Sequence, residues 1–294
     1  MITACVILNY NDAMTTLQIA EAVKNYPSLD YLVLVDNCST DNSFEILSKL
    51  RNDKIHVIRT ARNGGYGYGN NRGIEYARSV LGAESAVIAN PDVEFTNECI
   101  NSLLEELERD SSCGAIAPVS LDTSGNRSRN IAWRQLSAFY ETLGSSVLIN
   151  RVLGHRSRYS DEYLFGTGGS KEVDVVPGSL LAININHFIK AGMYDEEVFL
   201  FCEEKILACR LRNIGKTTKL CVDVSYVHRH SETINKNISS YVKRSGIWLR
   251  SKKYFISKYM IRRKLFRFLV EAFFALSRLE SHVIALTKRV FSCS

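Results

Sequence analysis

Two adjacent acids, Glu203 and Glu204, follow the apolar run Phe199-Leu200-Phe201-Cys202. A carboxylate held beside a hydroxyl can take its proton as that oxygen attacks. Neighbours on a helix point about 100° apart, so only one of the pair can readily face a substrate. The same acids also suit the positive end of a helix N-terminus, which is their structural use. Asn90-Pro91-Asp92 closes an apolar run, and a carboxylate there is a good ligand for Mg²⁺ or Mn²⁺ shared with substrate phosphates. In His228-Arg229-His230 one imidazole could complete such a coordination, or the run is an exposed turn. Asp36 could accept the imide N–H of uracil or thymine, or could cap a turn. The glycines of Gly64-Gly65-Tyr66-Gly67-Tyr68-Gly69 allow a nucleotide to approach the backbone closely.

These residues need elements to position them. Apolar runs at 2–8, 31–35, 55–58, 85–89 and 115–119 read as buried strands, and amphipathic stretches at 15–24, 43–50, 70–80 and 97–108 read as helices between them. Asn42 followed by Glu45 has the spacing of a reciprocal helix cap. The alternation predicts an α/β fold, a mostly parallel central sheet with helices on both faces. Ligands of such sheets bind at the carboxyl ends of the strands. Those ends carry Asn9-Tyr10-Asn11-Asp12, Asp36-Asn37-Cys38-Ser39, Asn63-Gly64-Gly65 and Asn90-Pro91-Asp92, the makings of one polar cleft. Residues 120–172 read as an irregular excursion on the acceptor side. Residues 173–185 read as two strands broken at Pro177-Gly178, and 218–222 and 224–227 as two further short strands.

Charge divides the chain at about residue 235. Residues 236–294 hold 14 Lys or Arg against two acids, net +12, whereas residues 1–235 carry net −6. The first part reads as a catalytic domain and the second as a basic helical extension. Leu265, Phe268, Leu269, Ala272, Leu276, Leu279, Val283, Leu286 and Val290 recur at helical spacing within 258–290, beside Arg262-Arg263-Lys264. A basic amphipathic helix suits an anionic membrane surface. Its apolar face could equally pack on the catalytic domain or on another subunit. The eight cysteines include no CxxC pair, which argues for small buried thiols in a reducing compartment rather than a zinc site. No signal-like leader or membrane-length apolar run is visible, so a cytoplasmic protein with peripheral membrane contact is expected.

In order and spacing, the chain resembles family 2 glycosyltransferases of the GT-A fold, in particular bacterial rhamnosyltransferase-like enzymes of cell-surface polysaccharide assembly. The resemblance rests on Val6-Ile7-Leu8-Asn9-Tyr10-Asn11, Val35-Asp36-Asn37-Cys38-Ser39-Thr40-Asp41, Asn63-Gly64-Gly65-Tyr66, Asn70-Asn71-Arg72-Gly73, Asn90-Pro91-Asp92-Val93 and Phe201-Cys202-Glu203-Glu204. It implies an inverting transfer from a nucleotide-sugar donor to a glycan or lipid-linked glycan acceptor. The donor would be dTDP-rhamnose or a UDP-sugar. It implies that Asn9, Tyr10, Asn11, Asp36, Asn37, Asn63, Gly64, Gly65, Asn71 and Asn90 form the nucleotide site. It further implies that Asp92 and His228, or less readily His230, hold Mg²⁺ or Mn²⁺. Glu204 would be the base with Glu203 beside it, and Gly178 and Ser179 would meet the acceptor. Three positions depart from the family pattern: Asn90 replaces the first acid of the DxD motif, Glu204 replaces an Asp, and Ile206 stands where many relatives carry a second Asp. A nicotinamide enzyme would need a glycine fingerprint after Leu8, where Asn9-Tyr10-Asn11 stands instead. A non-catalytic membrane-surface or nucleic-acid-binding protein would leave the polar strand ends without a purpose, and no nucleic acid partner is expected.

Overall fold

The computed structural model describes residues 1–128, 130–229, 240–261 and 264–292. Strands β1 (Thr3–Asn9), β2 (Tyr31–Asp36), β3 (Ile55–Arg59) and β4 (Ser85–Ala89) lie parallel in the order β3-β2-β1-β4. Helices α1 (Ala13–Val23), α2 (Ser43–Ser48) and α3 (Tyr66–Ser79) connect them. The strands are apolar without alternation because both faces are covered. Cys5 and Ile7 of β1 face one core with Ile19, Val23 and Leu47, and Ala4 and Val6 face the other with Ile74 and Ala77.

The sheet continues through β8 (Leu180–Asn184), β6 (Cys113–Leu121), β9 (Thr217–His228) and β5 (Val93–Glu94), with β7 (Ser170–Val173) on β9. Strand β8 runs antiparallel to both β4 and β6, and β9 runs parallel to β6. Six strands, β1, β2, β3, β4, β6 and β9, therefore point the same way. Helix α4 (Asn97–Arg109) covers one face; α8 (Ile185–Lys190) and α9 (Glu203–Asn213) cover the other. Between β6 and β7 lie α5 (Ala138–Leu143), α6 (Val147–Leu153) and α7 (Asp161–Phe165).

Several local expectations are corrected. Helix α3 starts one turn early, at Tyr66, because the glycine loop feeds directly into it. Asn42 makes no side-chain cap; the Asp41 carboxylate accepts from Ser43 N instead (3.0 Å). The two late strands are one. A register shift after Pro118–Cys221 re-pairs Val119 with Ser225, and the displaced Asp223 accepts from Gly169 N.

The helical extension is two helices, not one beginning at 258. Helix α10 (Tyr241–Phe255) leads into a π-helical turn, and α11 (Lys264–Ser292) follows. The boundary expected at 235, together with His230, Arg262 and Arg263, falls outside the described residues. Leu249, Phe255, Ile256, Val270 and Phe274 pack with Val198 and Ile206 of the α/β body. Asp195 fastens the same junction. Its Oδ2 accepts from Tyr259 (2.5 Å), Tyr254 (2.9 Å) and Lys258 (3.1 Å), and pairs with Arg210 (3.1 Å). Burial would raise this carboxyl, but these hydrogen bonds outweigh it and hold the pKa at about 2. Helix α11 divides: Val270 and Phe274 are buried, whereas Phe268, Leu269, Leu276, Leu279 and Val283 are exposed. Among the described residues no helix is long and apolar enough to cross a membrane.

Candidate active site

A cleft of about 1080 Å³ opens at the carboxyl ends of the central strands. The wall at the ends of β1, β2 and β3 is built by polar groups that pair with one another. Asn9 Nδ2 donates to Asp36 Oδ1 (3.1 Å) and to Ser39 Oγ (3.2 Å), and Asn9 Oδ1 accepts from Thr16 (3.0 Å). Ser39 N and Arg59 Nε approach Asp36 Oδ2 at 3.1 and 3.3 Å. Asn37 Nδ2 donates to Asn63 Oδ1 and to Gly65 O, both at 3.1 Å. Asn11, in the left-handed region at φ 50°, exchanges bonds with Thr40 and Ser39. Each loop is thereby fixed by its neighbours before any ligand arrives.

Gly65 joins this wall to the other. It has φ +92°, and a Cβ there would lie 2.1 Å from Phe199 O, so only glycine fits. Tyr66 N then donates to Phe199 O (2.9 Å). The segment after Phe199 is strained: Phe201 and Cys202 both adopt left-handed backbone, at φ 71° and 69°. Such conformations cost on the order of 1–3 kcal/mol each and gather at functional sites. Their effect here is to set Glu203 and Glu204 as the first turn of α9, facing into the cleft.

Glu203 is buried, and its Oε1 has no hydrogen-bond partner. Burial, and then the adjacent Glu204 charge, hold its carboxyl well above the usual range. Burial also raises Glu204, but the Gly178 backbone and the Lys205 charge oppose that rise. The two therefore separate, with Glu204 the readier to ionise. Gly178 lies against this carboxylate: a Cβ on it would meet Glu204 Oε1 at 3.3 Å. Gly178 O accepts from Tyr66 (2.7 Å), and Ser179 Oγ bonds Tyr226 (2.5 Å).

The short strand β5 was not foreseen, and it brings Asp92 to His228. Val93 pairs with His228 and Arg229 N donates to Asp92 O (3.0 Å). His228 Nε2 then stands 3.4 Å from Asp92 Oδ1, both in the cleft wall beside Asn90. Two donors about 2.1 Å from one ion lie about 3–3.5 Å apart, so the pair fits a shared divalent cation. Among the described residues no third His, Cys, Asp or Glu joins them. A cation there would draw its remaining ligands from substrate and water, which is how Mg²⁺ commonly binds.

Of the residues singled out in the sequence, Tyr10, Asn37, Asn63, Gly65, Asn90, Asp92, Gly178, Ser179, Glu203, Glu204 and His228 line this one cleft. Asn9, Asn11, Asp36 and Gly64 stand outside the lining, the first three within the hydrogen-bond network described above. Asn71 faces elsewhere: its amide donates to Tyr194 O and Glu196 Oε1 and accepts from Tyr194 N, tying α3 to the segment after α8. Sequence reasoning missed Trp133 and the whole contribution of α10, whose Lys243, Gly246, Ile247 and Arg250 line the cleft. Their i, i+3, i+4, i+7 spacing was legible, but the face is too polar to announce burial.

A doubly covered sheet with ligand loops at its carboxyl edge, an acidic residue after β4 and a carboxylate at the start of a late helix define the GT-A glycosyltransferase fold. The chain belongs to glycosyl transferase family 2, whose profile matches residues 4–162. It is 28% identical over 209 residues to the low-salt glycan biosynthesis hexosyltransferase Agl10 of Haloferax volcanii, covering 71% of this chain and 62% of that protein. The chain thus spans less than two thirds of that relative. It is 24% identical over 221 residues to the N-acetylglucosaminyl-diphospho-decaprenol L-rhamnosyltransferase of Mycobacterium tuberculosis, covering 72% and 70% of the two chains. The mannosyltransferase PcManGT of Pyrobaculum calidifontis, solved with GDP-Man and Mn²⁺, superposes with a TM-score of 0.57 at 16% identity. It covers 99% of this chain and 76% of that one.

Proposed function

We propose that the protein is an inverting, metal-dependent glycosyltransferase that moves a hexose from a nucleoside-diphosphate donor to a hydroxyl of a lipid-linked glycan. The observation that carries this reading is one cleft with the Asp92–His228 pair and a burial-raised Glu204 among its lining residues. Tyr10, Asn37 and Asn63 contact the nucleotide, and Asn9, Asn11 and Asp36 shape that pocket from beneath. Asp92 and His228 would hold Mg²⁺ or Mn²⁺, which when bound would offset the charge developing on the diphosphate leaving group. Glu204 accepts the acceptor hydroxyl proton as that oxygen bonds to the anomeric carbon and the bond to diphosphate breaks on the opposite face. Glu203 stays protonated behind it. Gly178 and Ser179 leave room for the acceptor beside Glu204.

A thymidine- or uridine-linked donor is what the family resemblance implies, and the named mycobacterial relative is an L-rhamnosyltransferase of N-acetylglucosaminyl-diphospho-decaprenol. The decaprenol in that name supports a lipid-linked acceptor, and with the resemblance we extend it to surface polysaccharide synthesis at the inner face of a plasma membrane. The exposed apolar row of α11, from Phe268 to Val283, suits contact with that surface. The test is a thermal-shift panel of UDP, dTDP and GDP with and without Mn²⁺. A ligand at 100 times its Kd stabilises by about 2.7 kcal/mol. A rise in Tm that needs both a nucleotide and metal is expected; no rise with any of the three overturns the reading.

A further inference from the structure

The cleft has a second charged region that donor chemistry does not use. Glu141 of α5 is buried and answers two ammonium groups, Lys205 Nζ at 2.5 Å and Lys252 Nζ at 3.5 Å. Lys252 is itself buried, over the ring of Trp248 (4.8 Å). Both lysines line the cleft, where Lys205 also faces the Glu204 carboxylate. Burial pushes the Lys252 ammonium down to about 8. A buried ammonium is costly to charge, and a further anion beside it offsets that cost.

Helix α10 extends the same charge to the mouth. It carries Lys243, Arg244, Arg250, Lys252 and Lys253 and no acid. Lys243 and Arg250 are exposed, line the cleft, and have no carboxylate partner among the described residues. Seven residues apart, they share one helix face. Gly246 stands between them, and a Cβ added there would meet nothing within 4 Å. The result is an open slot between two cations that face no carboxylate among the described residues, with Lys252 and Lys205 elsewhere in the same cleft lining.

We infer that Lys243, Arg250, Lys252 and Lys205 form a binding site for a phosphate or diphosphate group carried by the acceptor, separate from the donor diphosphate at Asp92 and His228. The inference rests on the glycosyl-transfer reading above. The guanidinium and ammonium groups supply charge-assisted hydrogen bonds to phosphate oxygens. The acceptor sugar attached to that phosphate then reaches toward Glu204.

The test measures equilibrium binding of geranyl diphosphate to the full chain saturated with Mn²⁺ and the nucleoside diphosphate that binds it. Inorganic pyrophosphate and geraniol are the companion probes. Binding of geranyl diphosphate is expected, weakened at least tenfold in the Lys243→Ala/Arg250→Ala variant while the nucleotide-induced Tm rise stays unchanged. Both substitutions lie on an exposed face, so the fold should survive. Equal binding of pyrophosphate makes free phosphate the recognised source; binding of geranyl diphosphate alone makes it a lipid headgroup. Undiminished binding in the double variant, or none once nucleotide is bound, overturns this inference and leaves the transferase reading standing. A chain that binds no nucleotide overturns both.

Discussion

The two walls of the cleft are built on opposite terms. On the donor side Asn9, Asp36, Ser39, Asn37 and Asn63 satisfy one another, and Asp36 is wholly enclosed by its partners. On the Glu203–Glu204 side two successive residues are in left-handed backbone and a buried carboxyl oxygen is unpaired. The first arrangement stabilises the fold and fixes a shape. The second costs stability and persists because the surrounding packing over-determines it: Ser251 of α10 donates to Leu200 O (2.6 Å), and Phe199 O is clasped by Tyr66. On the proposed reading, recognition falls to satisfied groups and reactivity to unsatisfied ones.

The comparison breaks most sharply at Glu204. Glu204→Gln keeps the shape and hydrogen-bonding length of the side chain but removes the proton acceptor. Loss of a general base costs about 10²–10⁴-fold in rate. Transfer should fall by that factor, measured as kcat with saturating donor, while the nucleotide-induced Tm rise is kept because the donor wall is untouched. A variant that transfers at near wild-type rate removes Glu204 from the chemistry.

The seam between the walls is the next most sensitive place. Gly65→Ala places a methyl against the Phe199 carbonyl and forces alanine into φ +92°. A loss of about 2–5 kcal/mol is expected in denaturant unfolding. Gly82→Ala is the control, because Gly82 also has positive φ (+69°) but nothing within 4 Å of its Cβ. Its cost should be conformational only, about 1 kcal/mol. Equal losses at the two sites would mean that the Phe199 contact contributes nothing.

The same contrast explains what the sequence could disclose. The donor wall was legible because buried parallel strands are continuous apolar runs, and their polar ends mark the cleft edge without further information. Glu203 and Glu204 stood out as acids after an apolar run, and Asp92 and His228 as candidate ligands. Their juxtaposition was not legible, since it depends on a two-residue strand pairing with a partner 135 positions away. Nor was the strain at Phe201 and Cys202, because neither is the glycine or asparagine that usually marks left-handed backbone. Helix α10 was hidden for a related reason. Its cleft face is charged, so its place is set by Asp195 and by packing at Leu249 and Phe255 rather than by a strong apolar period. The +12 tail read as one basic extension, yet its first helix belongs to the cleft and only α11 presents an apolar row outward.

The smallest effect is also the most diagnostic of the catalytic wall. Glu203→Gln removes a titrating group while keeping its volume. In the folded protein this carboxyl binds its proton more tightly than in the unfolded chain, so unfolding releases a proton. Wild-type stability should therefore fall as pH rises from about 4.3, the ordinary glutamate value, toward the raised folded value. The Gln variant lacks that contribution, so its stability should exceed wild type by a margin that grows across the same window and then levels off. Glu204 titrates while Glu203 is still protonated, so replacing that neutral carboxyl with a neutral amide leaves Glu204 ionising where it did. The acidic limb of kcat/KM should therefore stay in place. Denaturant unfolding and transfer assays over one pH series read both effects. Parallel stability curves for the two proteins would show that Glu203 is not held protonated by the fold, and the two walls would then differ in strain alone.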